Sequence, residues 1–241
     1  MVIKLQKLGK LKHDEYTKNS PFAHMSFTDL FDTAMLRQVH DEFPLMEAGM
    51  SCKTNRTTIK KFSYRTSGSA RFGKEDVDVL EACGPHTKKF LTYLNSEEFL
   101  NFLEDLTGIS NLVADDTYEG AGPCSIGTGG LLKMHIDFNV HPKNEKLHRR
   151  INVLVYLNED WEDDWGGHLD LWGDVENDEL KVRIPPNMNT TAIFNTTEDS
   201  WHGHPDPLNC PNDRRRRFIS AYYYVKEPPG SREVHTTIYK K

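Results

Sequence analysis

Apolar residues across 32–43 (DTAMLRQVHDEF) recur at helical spacing, and Pro44 is predicted to end that helix. A second amphipathic helix is predicted over EEFLNFLEDLT, 97–107. Ser96 is placed to cap it, Glu97 and Glu98 put negative charge at its positive end, and Gly108 follows its last turn. Between the two, 50–69 is polar and rich in Thr, Lys and Arg, which predicts a strand plus a loop. From Leu131 onward the period changes from helical to alternating. INVLVYLN (151–158), HLDLWGD (168–174), LKVRIP (180–185), TTAIF (190–194) and FISAYYYV (218–225) read as strands, separated by Gly-, Pro- and Asn-rich turns. That is the pattern of a β-sandwich or barrel. The predicted fold class is α+β, with helices first and a β-core after them. No linker rich in Pro or Gly divides the chain, so a single domain over 1–241 is expected: mainly helical support over 1–120, the β-core over 121–226, and a tail or edge element over 227–241.

Composition narrows the possibilities. The 241 residues include 30 Lys+Arg against 36 Asp+Glu, a net charge of −6, which argues against a chain built to neutralise a nucleic-acid backbone. No run approaches the ~20 apolar residues of a membrane helix. The opening MVIKLQKLGKLKHDEY interleaves lysines with apolar residues and has no continuous apolar core, so a secretory leader is not expected. Cys52, Cys83, Cys124 and Cys210 form no CxxC pair, and reduced thiols in a cytoplasm are the expectation. The sequons at Asn55, Asn189 and Asn195 then carry no glycan. Neither a nucleic-acid nor a membrane partner is predicted, and oligomeric state is left open.

Candidate chemistry enters with the string KMHIDFNVH and, much later, DSWHGHPDP. On a strand, His135 and Asp137 leave the same face and can supply two neighbouring ligands to a metal. His202 can complete the set from a distant strand; His204, two residues on, competes with it. Two neutral imidazoles and a carboxylate that leave positions open are the arrangement of a non-haem Fe(II) oxygenase, whereas structural zinc is usually closed and recruits cysteine. Arginines at 214–217 run directly into the last alternating strand. An arginine there can hold a carboxylate in a two-pronged salt bridge inside a cavity, as a dicarboxylate co-substrate would require at its end away from the metal.

The stretch GGLLKMHIDFNVHP…HRRINVLVYLNEDWEDDWGGHLDLW…AIFNTTEDSWHGHPDPLNCP…RRRRFISAYYY resembles the Fe(II)/2-oxoglutarate-dependent oxygenases of the prolyl 4-hydroxylase-like group, over about 129–224. Upstream, NSEEFLNFLEDLTGI looks like the supporting helix of bacterial and phage-type members. The resemblance implies a double-stranded β-helix, or jelly-roll, with N-terminal helices packed outside the larger sheet. It implies Fe(II), 2-oxoglutarate and O2, with ascorbate as reductant, and places the metal triad on His135, Asp137 and His202. It matches Tyr156 to a tyrosine holding the far carboxylate of 2-oxoglutarate, and the anchoring arginine to Arg216. Strand parity agrees, since Arg216, Phe218 and Ser220 share a face; Arg217 is the register alternative. The sequence departs from the pattern at Phe218, where serine is usual. Asn152 shares a face with Tyr156 and is expected to line the co-substrate cavity, while Arg149 or Arg150 faces the substrate at the mouth. Substrate loops are expected at 50–71 and 139–149. The implied reaction is hydroxylation of a C–H bond, with proline in a peptide or protein as the first expectation. The alternatives are a small molecule (amino acid, sugar or lipid) or a non-catalytic β-sandwich that binds a metal or ligand.

Overall fold

The computed structural model describes residues 2–64, 77–174, 176–177, 179–228, 230–231 and 233–240. The part of the expected substrate loop at 65–71 therefore lies outside the described residues. The N-terminal half supplies α1 (Val2–Lys18), β1 (His24–Thr28), α2 (Thr33–Gly49), β2 (Ser51–Lys53), β3 (Thr58–Ser63), α3 (Val79–Ala82), α4 (Pro85–Leu94), α5 (Glu97–Thr107) and β4 (Val113–Ala114). The remainder supplies β5 (Gly122–Ile136), β6 (Val140–His141), β7 (Asn144–Tyr156), β8 (Leu169–Asp174), β9 (Glu179–Ile184), β10 (Thr190–Asn195), β11 (His202–His204), β12 (Arg215–Lys226) and β13 (Ile238–Tyr239).

The predicted caps form. Ser96 Oγ accepts from Phe99 N at 3.3 Å, and Gly108 ends α5 in the left-handed region at φ 74°. Helix α1 lies against α5, and Gly9 makes that approach possible: a Cβ there would come within 2.9 Å of Phe102 O. Helix α2 corrects one expectation, because it runs through Pro44 to Gly49. Proline removes one intrahelical donor. Leu36, Val39, Phe43 and Met46 continue a single buried stripe across it, and their burial outweighs that loss.

The strands run in the order β1-β10-β7-β12-β5-β11-β8-β9, with β3 and β13 also on β5. Strand β5 turns the corner of the jelly-roll. Its first half pairs with β12 from Gly122 to Gly127, and its second half pairs with β11 at Leu132 and His135. The Gly-Thr-Gly-Gly at 127–130 makes the bend, with Gly129 at φ 72°. Alternation then separates two cores. Ile151, Val153, Val155, Ile219, Ala221 and Tyr223 face outward, in one cluster with Phe43, Phe99 and Phe102 of the helices. Tyr156, Phe218, Cys124, Ile126, Phe194 and Leu171 face inward, between the two layers. The jelly-roll with helices outside its larger sheet is the expected fold. The helical half also contributes β1 and β3 to the sheet, and the segment expected as a loop at 139–149 is largely the β6–β7 hairpin. The tail returns through β13, which pairs Tyr239 with His135. Among the described residues no helix is long and apolar enough to cross a membrane.

Candidate active site

His135 ends β5, Asp137 lies just beyond it, and β11 pairs His202 directly opposite His135. The register therefore brings together residues far apart in the chain. One ligand atom from each of His135, Asp137 and His202 lies within 4.8 Å of the others. His135 Nε2 is 3.6 Å from Asp137 Oδ1, and His202 Nε2 is 3.3 Å from Oδ2. Each imidazole donates its other nitrogen to a carbonyl: His135 Nδ1 to Lys133 O and His202 Nδ1 to Ser200 O, both at 2.8 Å. A carbonyl only accepts, so the proton sits on Nδ1 and the Nε2 lone pair faces the cluster. Burial lowers the His135 pKa, with the neighbouring His202 adding to the effect, which keeps the ring neutral. Burial alone would push the Asp137 carboxyl up; Arg149 and the two imidazoles outweigh it and hold the group well below the usual carboxylate range. The set thus offers two neutral nitrogens and one anionic oxygen, which fits a divalent metal with part of its coordination sphere free.

Arg149 and Asn152 form a clamp behind Asp137. Arg149 Nη2 donates to Asp137 Oδ2 at 3.0 Å, and Asn152 Nδ2 donates to the same oxygen at 2.6 Å. Arg149 Nε donates to Asn152 Oδ1 at 2.8 Å, and the guanidinium lies 3.4 Å from the Tyr222 ring centroid. Asn152 does line the cavity, but its amide is turned to the carboxylate of the cluster. This clamp orients the Asp137 side chain in the way that outer partners orient metal ligands. Its role was not legible from sequence, since parity gives the face and not the partner.

Arg216 opens onto the same cavity, which it lines together with Lys61, His204 and Phe218. Arg216 is 2% exposed; its guanidinium donates Nε to Gly167 O at 2.5 Å and Nη2 to Tyr156 Oη at 3.0 Å, and lies near the Tyr156 and Phe218 rings. Gly167 permits this seat: at φ 77° a Cβ there would meet Arg216 Cδ at 2.9 Å. The register alternative, Arg217, points out of the barrel, where its Nε and Nη2 bind Glu47 at 3.0 and 3.2 Å. His204 stays outside the three-residue cluster because the register shifts between it and His202. It is buried on the cavity wall, and among the described residues neither ring nitrogen has a hydrogen-bond partner. Arg150 lies away from the cluster and pairs with Glu227 at 3.1 Å. Lys61 of β3 also lines the cavity; the lysine-rich segment was legible from sequence, but not which of its lysines turns inward.

A buried arginine opposite two imidazoles and an acid, all inside a jelly-roll, is the plan of a non-haem oxygenase that uses a keto acid. The chain is similar to the 2OG-Fe(II) oxygenase superfamily, whose model matches its residues 122–225. It is a 2-oxoglutarate-dependent dioxygenase that uses Fe(II), rather than a non-catalytic β-sandwich. No curated protein matches it by sequence. Among solved structures it is similar to a prolyl hydroxylase from Trichoplax adhaerens in complex with a hypoxia-inducible-factor oxygen degradation domain peptide fragment. That match has 18% identity over 92% of this chain and 91% of the other, with a TM-score of 0.62. A Pseudomonas putida prolyl-4-hydroxylase matches with 12% identity over 94% and 100%, with a TM-score of 0.60. HygX from Streptomyces hygroscopicus, with nickel, 2-oxoglutarate and hygromycin B bound, matches with 12% identity over 84% and 82%, with a TM-score of 0.53. At these identities the likeness establishes a shared fold.

Proposed function

We propose that this chain hydroxylates a C–H bond of a prolyl residue in a peptide or protein, with His135, Asp137 and His202 holding Fe(II), and Arg216 with Tyr156 holding the far carboxylate of 2-oxoglutarate. One observation carries the reading: the convergent His-Asp-His cluster and the buried Arg216 share a single cavity. The prolyl assignment draws on the fold shared with the Trichoplax and Pseudomonas prolyl hydroxylases. A second reading, a small-molecule substrate, is favoured by the likeness to HygX, which was solved with hygromycin B.

When bound, Fe(II) with O2 and 2-oxoglutarate supplies the oxidation, in which one oxygen atom enters the C–H bond and the other leaves in succinate, with release of CO2. The protein does the rest by position. The Nδ1–carbonyl bonds of His135 and His202 keep both Nε2 lone pairs turned inward. Arg149 and Asn152 occupy Asp137 Oδ2 and leave Oδ1 free to ligate. Arg216 is held by Gly167 and Tyr156 before any carboxylate arrives, so little side-chain entropy remains to be lost on binding. The inward apolar residues Leu154, Leu169 and Phe218 exclude water from the path between the two ends.

The test is direct. Purified chain with Fe(II), ascorbate and 2-oxoglutarate is expected to form succinate, and a panel of prolyl peptides and metabolites to yield a product one oxygen atom heavier. His135→Ala and Asp137→Ala are each expected to abolish both signals. Turnover near that of the unmodified chain in both variants would overturn the assignment.

A further inference from the structure

The co-substrate accounts for Arg216, and the clamp accounts for Arg149. Neither accounts for Lys61. Strand β3 lies on β5 with a break in register: Ile59 pairs with Leu131, whereas Lys61 pairs with Ile126. Lys60, in the left-handed region at φ 51°, absorbs the break and sends its Nζ to Thr128 O at 2.8 Å. Such bulges re-aim the side chains beside them. Phe62 packs among the helices and under the Arg215 guanidinium. Lys61 takes the opposite face and lines the cavity that holds His135, Asp137 and Arg216.

Charge makes this placement informative. Among the described residues Lys61 has no carboxylate within ion-pairing distance and donates no hydrogen bond. Across the β2–β3 hairpin its partner is Lys53, another cation on the same face. Like charges directly opposite one another destabilise a strand pair. Among the described residues Asp137 is the one carboxylate that lines the cavity; it attracts Lys61, but its ion-pair partner is Arg149. A divalent metal and a doubly charged co-substrate cancel each other, and Asp137 cancels Arg149, so the cavity keeps the positive charges of Arg216 and Lys61; Arg216 is spoken for by the co-substrate carboxylate, and Lys61 is not. Lys61 is half-buried on the cavity wall, and a cation held there is favoured when an anion meets it.

We propose that Lys61, with Lys53 beside it, selects substrates that carry a carboxylate next to the carbon to be hydroxylated. This rests on the dioxygenase site described above and names its substrate class. The carboxylate has two sources: an acidic residue adjoining the target in a peptide, or the acid group of a free amino acid. Lys61 is a specificity-determining residue, and the cationic hairpin steers the acidic group to the mouth.

The test reads binding rather than turnover. Protein loaded with Mn(II) and N-oxalylglycine, an unreactive co-substrate analogue, is titrated while proton relaxation of the added compound is followed. The peptide arm compares N-acetyl-prolyl-glutamate amide with its glutamine counterpart. The free arm compares proline with prolinamide. In at least one arm the carboxylate is expected to relax about fivefold faster than its amide, a difference typical of one partly solvated charge pair. The arm that responds identifies the source. In Lys61→Met and Lys61→Gln that difference is expected to fall below about twofold, while N-oxalylglycine affinity, measured calorimetrically, stays within about threefold. Equal relaxation of acid and amide in both arms overturns the proposal, as does no relaxation at all. A preference that survives both Lys61 variants overturns it too. Loss of N-oxalylglycine affinity together with the preference would give Lys61 to the co-substrate instead, and also overturns it. Failure to bind Mn(II) or N-oxalylglycine at the outset would end the oxygenase-site reading itself, a result distinct from all of these.

Discussion

The two faces of strands β7 and β12 are built from neighbouring residues and do opposite work. Outward, Ile151, Val153, Val155, Ile219, Ala221 and Tyr223 are closed over by helices, and the charges there are paired: Glu47 takes Arg215, Arg217 and the Ser125 hydroxyl together. Inward, Asn152, Tyr156 and Arg216 stand among buried apolar groups, and the His204 ring nitrogens have no partner among the described residues. Arg216 and Arg217 are adjacent in sequence; one lines the cavity, bonded to Gly167 O and Tyr156 Oη, and the other is paired with the Glu47 carboxylate. The outward face lowers the free energy of the fold, and the inward face carries the polar groups that line the cavity. Burial by itself therefore does not mark function here; an unmet hydrogen-bonding or charge requirement does.

That contrast can be broken by substitution, and the largest effect is expected at the metal cluster. His135→Ala should reduce 2-oxoglutarate consumption at least about a hundredfold, since even outer partners of a metal ligand are worth ten- to a hundredfold. Mn(II) affinity, followed by electron paramagnetic resonance, should fall with it. Next, Arg216→Met should raise the KM for 2-oxoglutarate by about ten- to a hundredfold, as expected for loss of charge-assisted hydrogen bonds worth about 1.5–3 kcal/mol. Its Mn(II) affinity should change less than about twofold. On the other face, Glu47→Ala should leave that KM within about twofold and cost about 1–3 kcal/mol of unfolding free energy in urea, because Arg217 and Arg215 lose a partly buried partner. A KM change in Glu47→Ala as large as that in Arg216→Met would erase the distinction between the faces.

The smallest effect sharpens the comparison at the sheet's edge, where Asp115 follows β4. Burial pushes its carboxyl up, but His141, Thr117 and the Glu119 backbone N–H outweigh that and lower it below its ordinary value. A carboxyl whose folded value lies below its unfolded value of about 3.9 stabilises the fold fully above that value. The contribution is lost as pH falls through the folded value. Asp115→Asn should therefore cost about 1 kcal/mol at neutral pH, and its deficit should shrink below about pH 4 in urea titrations.

The sequence by itself determined the elements whose signals are local. The Ser96 cap and Gly108 terminus bound α5, the alternation of INVLVYLN and FISAYYYV sorts inward from outward positions, and HxD marks a ligand pair. Parity put Arg216 and Arg217 on opposite faces, the resemblance favoured Arg216, and Arg217 stayed as the register alternative. Tertiary structure decided whatever depends on register between distant segments. It chose His202 over His204, because only the former lies opposite His135. It carried α2 past Pro44, because a buried stripe continues beyond the proline. It turned Asn152 to Asp137, and it turned one lysine of a lysine-rich hairpin into the barrel through a bulge at Lys60. The physical reason is one of range. Periodicity and capping act within a few residues along the chain, whereas a hydrogen-bonding partner or a vacant charge is fixed only when strands far apart in sequence close on one another.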